Sequence, residues 1–543
     1  MDSIEIVLTM LLLVLASGYL VRVLPFALPL PLVQIALGAG VAAFSSRGVQ
    51  LDPDLFFVLF LPPLLFLDGW RIPKDGLLHD ARPILQLAFG LVIFTVLGVG
   101  LFMHWLIPAL PLSVAFALAA IVSPTDPLAV AAISARVPIP RRMLHILEGE
   151  SLLNDASGLV CFRFAVAATL TGQFSLLSAS LSFVWLAFGG VAIGTAVSWG
   201  ISRSHRLITR RFGQDAGLPV LGSLLTPFGA YLAAEHLGAS GILAAVAAGV
   251  MMSYAELSGV APANTRLQRA AVWDSVQFAL NGTAFVVLGE QLPGILHRAS
   301  EGAATGGQFG MDTLLLFALA LNLVLAALRL VWTLGSLHVD AWLLRRRGQT
   351  QQRPSWRLVL AMSLTGVRGA ITLAGVLTLP LLLADGRPFP YRDLVIFLAM
   401  SVIVFSLLAA SFGLPRLLVG LQVPPEPHAR RQEDLARRLA AKAALTAIEE
   451  VRREHDGAVA DAQIEAAAAT RVIAIYQRRL DGDDTEVDAQ RLRQADQAER
   501  RLRLAALRGE RAELFALARA GRLADDVTRK LVREIDYVES RYL

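Results

Sequence analysis

Thirteen apolar runs, most of about 20 residues, the length an α-helix needs to cross a bilayer, recur through the first ~420 positions of this 543-residue chain. They lie near 5–24, 28–45, 54–70, 83–107, 112–134, 145–172, 182–201, 217–235, 238–254, 273–291, 312–335, 356–384 and 391–420. An unpaired backbone group in hydrocarbon is prohibitively costly, so such segments form helices. At 55% hydrophobic residues, the chain is far too apolar for an ordinary soluble enzyme. The expected fold class is all-α: a polytopic membrane protein of about 13 transmembrane helices. Its membrane domain spans 1–421, and composition changes sharply after Leu421-Gln-Val-Pro-Pro-Glu-Pro427. The tail, 422–543, is rich in Ala, Arg, Glu and Leu at helical spacing, which predicts a water-soluble helical domain.

Basic residues give the orientation. With the N-terminus outside, the cytoplasmic joins carry eighteen Lys or Arg, clustered for example at Arg203–Arg211 and Arg345–Arg357. The outer joins carry only Arg47, Arg298, Arg387 and Arg392. Positive charge accumulates on the cytoplasmic side, so the tail is expected there too. The start, Met1-Asp-Ser-Ile-Glu5, lacks the basic region of a cleaved leader, so the first helix is expected to be retained. One cysteine, Cys161, excludes an intramolecular disulfide or a cysteine metal cluster. Only three of 49 basic residues are lysine, a bias that points to a GC-rich genome and a bacterial membrane.

Two carboxylates sit where lipid makes them expensive. Asp126 lies in Ser123-Pro-Thr-Asp-Pro127, inside the fifth run, and Asp155 in Glu148-Gly-Glu-Ser-Leu-Leu-Asn-Asp-Ala-Ser-Gly158, at the head of the sixth. A charge at mid-bilayer costs about 3 kcal/mol on insertion scales, and such residues usually belong to an ion path or proton relay. Proline removes a backbone donor and clashes with the preceding turn, so the fifth helix is expected to break at 123–127. The twelfth is expected to break at Thr365-Gly-Val-Arg-Gly369. Irregular backbone at this depth is tolerated only where it lines a cavity or is buried in protein.

A helical wheel with Asp155 at zero puts Ser151 at about −40°, Gly158 at −60°, Asn154 at −100° and Glu150 at −140°. An acid, an amide and a hydroxyl on one face suit a small hard cation, which takes several oxygen ligands. The same carboxylate can hold a proton instead, and that competition is what an antiporter needs. Asp126 beside Thr125 either ligates the ion or braces the broken backbone. Glu150 and Arg368 are expected to form a buried ion pair tying the sixth helix to the twelfth, because each alone would be costly. Arg163 could pair with an acid, tune Asp155 or reach the outer interface, and Arg329 raises the same question. Asp68 either snorkels to the cytoplasmic surface or lines an inner funnel; the funnel is the expectation. No Gly-x-Gly-Asp segment of an intramembrane aspartyl protease is present. Nor is there the repeated filter of a cation channel.

Thr125-Asp126-Pro127, Glu150-Ser-Leu-Leu-Asn-Asp155 and Gly366-Val-Arg-Gly369 resemble the signature segments of the cation:proton antiporter 1 family, the sodium/proton exchangers. Leu61-Pro-Pro-Leu-Leu-Phe-Leu-Asp68, Gly241–Gly249 and Trp273…Phe278…Asn281…Phe285…Gly289 are similar to its third, ninth and tenth helices. Residues 155–164 resemble a bacterial subgroup in particular. The resemblance implies an inverted-repeat fold with broken crossing helices, and a homodimer whose six-helix core moves against a dimerisation domain. It implies that Asp155 alternates between proton and sodium, with Asp126, Thr125 and Ser151 completing the ion site and Glu150 bridging to Arg368. It also implies that Asn154-Asp155, in place of two aspartates, accompanies electroneutral one-for-one exchange. Lithium or potassium are further expected cargo. No cofactor, enzymatic activity or nucleic-acid partner is expected.

Overall fold

The computed structural model describes residues 2–23, 28–44, 53–72, 80–126, 130, 141–171, 176–212, 217–257, 263–301, 310–346, 355–383, 385–419, 427–455, 469–474, 476–477, 486–520, 522–523, 525–540 and 542. The chain divides into two compact units, Met1–Val423 and Pro424–Leu543. In the first unit the helices are α1 (Asp2–Val23), α2 (Leu30–Phe44), α3 (Pro53–Arg71), α4 (Ala81–Leu106), α5 (Leu112–Val122), α6 (Arg141–Thr171) and α7 (Leu176–Phe212). They continue with α8 (Gly217–His236), α9 (Gly241–Leu257), α10 (Ala263–Glu301), α11 (Met311–Arg346), α12 (Trp356–Leu364), α13 (Ala370–Leu377) and α14 (Arg392–Leu418). Among the described residues there is no strand, only an isolated bridge between Leu382 and Pro388.

Eight of the described helices are long and apolar enough to cross a membrane. The count of thirteen expected from sequence is not reached by that measure, because several runs lie on shorter or broken helices. Leu30–Ala43, Leu112–Val122 and Gly241–Glu256 are apolar but short, and the twelfth run is split between α12 and α13. Lipid-facing leucines stay exposed along α1, α4 and α11, as a bilayer solvent permits.

The helices of this unit sort into two groups by their packing. One contains α1–α3 and α7–α10, with α2 against α10, α3 against α9 and α7 against α9 as its most extensive interfaces. The other contains α4–α6 and α11–α14, built on α5 against α6 and α4, and on α14 against α11, α12 and α13. Contacts between the groups run mainly through α10 and α3 against α13 and α14. Since lipid tails are as apolar as leucine, close approach and dispersion hold such helices together. Gly38 and Gly289 show the device: a Cβ on Gly38 would lie 2.0 Å from the carbonyl oxygen of Val286, and one on Gly289 2.0 Å from that of Ile35. The two backbones touch through the missing side chains.

Both expected breaks are present. The fifth run is helical to Val122 and leaves regular helix at Ser123, and Val130 is again helical; 127–129 and 131–134 lie outside the described residues. The twelfth stops at Leu364 and resumes at Ala370. Where the two breaks cross, the Asp126 amide donates to the Val367 carbonyl at 2.7 Å. Each interruption thus satisfies part of the other's unpaired backbone. A π-helical turn, Gln86–Leu91, interrupts α4, and its Ala88 carbonyl accepts from the Ser157 hydroxyl of α6 at 2.7 Å.

The second unit contains α15 (Pro427–His455), α16 (Glu486–Arg519) and α17 (Asp525–Glu539). Arg511 of α16 reaches Asp536 at 2.9 Å and pairs with Glu539, fastening α17 along α16.

Candidate functional site

A small cavity lies where α3, α6 and α10 meet the two breaks. Leu64 and Asp68 of α3, Pro124, Thr125 and Asp126 of the first break, and Ser151 and Asp155 of α6 line it. Gln277 and Asn281 of α10, Gly369, and Ala370, Ile371 and Thr372 at the start of α13 complete it. Three carboxylates therefore face one space. Gly369 is small by necessity: a Cβ there would sit 1.6 Å from Asp126 Oδ2. The free amides at the N-terminus of α13 carry partial positive charge, so that half-helix favours anionic carboxylates in front of it.

Asp155 is 2% exposed, and its Oδ2 has no hydrogen-bond partner. The ion pairs found among the described residues do not include it. A buried carboxylate with a bare oxygen and no counter-charge is costly unless a proton or a cation neutralises it. Thr125, Asp126 and Ser151 bring further oxygens around the same space, and Asp68 lines the cavity. Hard-cation ligands of this type suit a monovalent ion stripped of part of its water.

The polar sector of α6 does not act as one unit. Ser151 and Asp155 turn to the cavity, whereas Asn154 and Glu150 do not line it. Asn154 donates to Thr125 Oγ1 at 3.0 Å, and Thr125 donates to Glu150 Oε1 at 3.2 Å. Asn154 therefore holds a cavity-lining hydroxyl in place from behind, while its own Oδ1 is buried without a partner.

The Glu150–Arg368 ion pair is corrected as well. Glu150, fully buried, is clasped by Arg329 of α11, with Nη1 to Oε1 at 2.5 Å and Nη2 to Oε2 at 2.8 Å. A guanidinium and a carboxylate match two bonds at once. Arg368 instead donates through Nε to the carbonyl of Val122 at 2.8 Å and through Nη1 to that of Gly366. Val122 is the last residue of α5, and its carbonyl has no partner along its own helix. Arg368 thus joins the broken ends of α5 and α12, while its amide donates to Ser406 of α14 at 3.1 Å. Arg163, left open by the sequence, meets Glu235 of α8 at 3.0 Å.

Gln277 was missed. It stands four residues before Asn281 on α10, so both share a helix face, and that polar pair in an apolar run was the available signal. Arg71 donates to Gln277 Oε1 at 2.8 Å and pairs with Asp274. Asn281 Oδ1 is buried without a partner.

Two interrupted helices crossing at a buried cluster of carboxylates, within an all-helical membrane unit, are the parts of an ion-coupled membrane transporter. The family model of the transmembrane sodium/hydrogen exchanger matches residues 8–420, and the chain belongs to that family. It is similar to the uncharacterized Na(+)/H(+) exchanger YjcE of Escherichia coli K12, with 40% identity over 540 residues and 98% of each chain covered. It is also similar to the sodium, potassium, lithium and rubidium/H(+) antiporter of Bacillus pumilus, with 46% identity over 415 residues. That match covers 76% of this chain but spans only 60% of the relative's length. Among solved structures, the sodium proton antiporter MjNhaP1 of Methanocaldococcus jannaschii shares the fold, with TM-score 0.55 and 18% identity over 78% of this chain and 99% of that one. The chain is accordingly a multi-pass membrane protein of a family of cation–proton antiporters.

Proposed function

We propose that this protein exchanges sodium for protons one for one, without net charge movement, across a bacterial inner membrane, and that Asp155 holds the two in turn. The observation that carries the reading is the buried Asp155 with an unpartnered oxygen beside Thr125, Asp126 and Ser151. One carboxylate is neutralised by one proton or by one monovalent cation. In either form it is neutral, and the helix group carrying it can move past the other at little electrostatic cost; empty and charged, it resists that movement. Tight coupling of the two flows follows. The Bacillus relative's name includes potassium, lithium and rubidium, so lithium and potassium are proposed as further cargo, and a potassium preference is the second reading. The working form is a homodimer with its N-terminus outside and residues 422–543 in the cytoplasm, serving pH and sodium homeostasis.

The test is reconstitution into vesicles with an internal pH dye, followed by sodium, lithium or potassium. Wild-type protein should move protons when sodium is added, at a rate nearly unchanged by an imposed membrane potential. Asp155→Asn keeps the size and one carbonyl oxygen but loses the charge, so it should fold and show no sodium-dependent proton movement at any pH. A well-folded Asp155→Asn protein that exchanged at the wild-type rate would overturn the assignment. A strong voltage dependence would mean that a second group, Asp126 before any other, carries a proton in each cycle.

A further inference from the structure

Arg163 and Glu235 take no part in the cavity, yet they join the two helix groups. Arg163 is on α6, about 12 Å beyond Asp155 along the axis at 1.5 Å per residue, towards the end at Thr171. Glu235 is in the last turn of α8. Their contact, Nη2 to Oε1 at 3.0 Å, crosses from one group to the other. Glu235 Oε1 also accepts from the amide of Gly241, the first residue of α9, at 3.2 Å. The carboxylate is thus held by its own group, and Arg163 is the member that reaches across.

The same end of the bundle carries a second such contact: Arg298, in the last turn of α10, lies 3.5 Å from Asp393, in the first turn of α14. The three ion pairs described at the arginine-rich end are different in kind. Arg71 with Asp274, Arg142 with Asp80 and Arg269 with Glu256 each stay within one group. Between the cavity and the Arg163 contact, Phe162 of α6 and Phe285 and Leu288 of α10 are buried in one continuous apolar core. Asp68, three residues from the end of α3, extends the cavity the other way.

We infer that Arg163 and Glu235 form a latch that holds shut the end of the bundle remote from the arginine-rich end, and that they part each time the site opens there. They are positioning residues for transport: they set the side on which the ion site is exposed. The inference rests on the alternating exposure of Asp155 proposed above. At 40% and 32% side-chain exposure, the pair is partly solvated, and contacts of this kind shift an equilibrium by up to about fivefold. That is enough to bias which side is open and too little to lock it. Screening by salt should weaken it.

The experiment uses full-length protein in vesicles of both orientations. Arg163→Gln and Glu235→Gln should each lower the apparent KM for sodium at the outer face and raise it at the cytoplasmic face, by about two- to fivefold. The exchanged pair Arg163→Glu with Glu235→Arg should return both values towards wild type. In a Cys161→Ala background, Arg163→Cys with Glu235→Cys joined by a short, reducible bifunctional thiosulfonate should stop exchange, and reduction should restore it. Linked protein that exchanged at the unlinked rate, or neutral variants that shifted both faces by the same factor, would show that the pair does not part and would sink the latch. Wild-type vesicles with no sodium-driven proton movement would instead sink the antiport reading, and the latch with it.

Discussion

Glu150 shows how a buried charge selects its partner among several within reach. Arg329 presents two N–H groups to the two carboxylate oxygens, at 2.5 and 2.8 Å, and a third to the carbonyl of Met362 at 3.0 Å. Arg368 spends its donors on backbone carbonyls left open by the breaks. Removing one member of a buried pair leaves an uncompensated charge, at about 3–5 kcal/mol. Arg329→Ala and Glu150→Ala should therefore each lower the melting temperature markedly, and the double variant should recover part of the loss. A double-mutant cycle on thermal stability should give a large coupling for Glu150 with Arg329 and a much smaller one for Glu150 with Arg368. The reverse order would mean that Arg368 is the true partner. Both the presence of a buried Glu and the need for an arginine were legible in the sequence. Which arginine was not, because Arg163, Arg329 and Arg368 all lay in apolar runs and spacing along the chain does not rank them.

At the scale of elements, the crossing of the two breaks decides what the site can hold. Proline at 124 and glycines at 366 and 369 forecast both interruptions, since each acts on the backbone within a turn or two. Contact between them was not forecast: the Asp126 amide on the Val367 carbonyl and the absence of a side chain at Gly369 are facts of assembly. Gly369→Ala places a Cβ onto the Asp126 carboxylate, so Asp126 must shift or the crossing must open. That variant should lose most sodium-dependent proton flux and some thermal stability. Gly222→Ala in α8, where nothing lies within 4 Å of the new Cβ, should be neutral or slightly stabilising, because alanine is the better helix former. Equal behaviour of the two variants would contradict the geometry described for Gly369. The helical wheel erred for a related reason. It grouped Asn154 and Glu150, at about −100° and −140°, with Asp155, whereas that flank of α6 faces Thr125 of the first break and Arg329 of α11.

For the whole molecule, the uneven distribution of basic residues sets the orientation expected above, since cationic loops stay on the cytoplasmic side. Reporter fusions at Arg142 and Leu543 should read cytoplasmic, and one within Thr171–Leu177 external. A cytoplasmic signal from the last would break the assignment of alternate helix directions, and with it the outer location of the Arg163–Glu235 contact. Which helices fall in which of the two groups could not be drawn from spacing along the sequence, since each group is assembled from segments far apart in the chain. Its trace in the sequence is the glycines of α2 and α10 that allow their backbones to touch.

Sequence by itself determined what depends on local chemistry: that the first unit is a bundle of apolar helices, where two of them break, and which carboxylates fall beside those breaks. Run length, proline, glycine and charge act within a few residues, and the bilayer adds a penalty simple enough to read in one dimension. Only the tertiary structure decided which side chains meet. It placed Arg329 on Glu150, Arg368 on the broken helix ends, Gln277 and Asn281 in the cavity wall and Arg163 on Glu235. Each of those choices depends on the rotation and depth of separate helices, and these are set by packing between segments more than 70 positions apart in the chain.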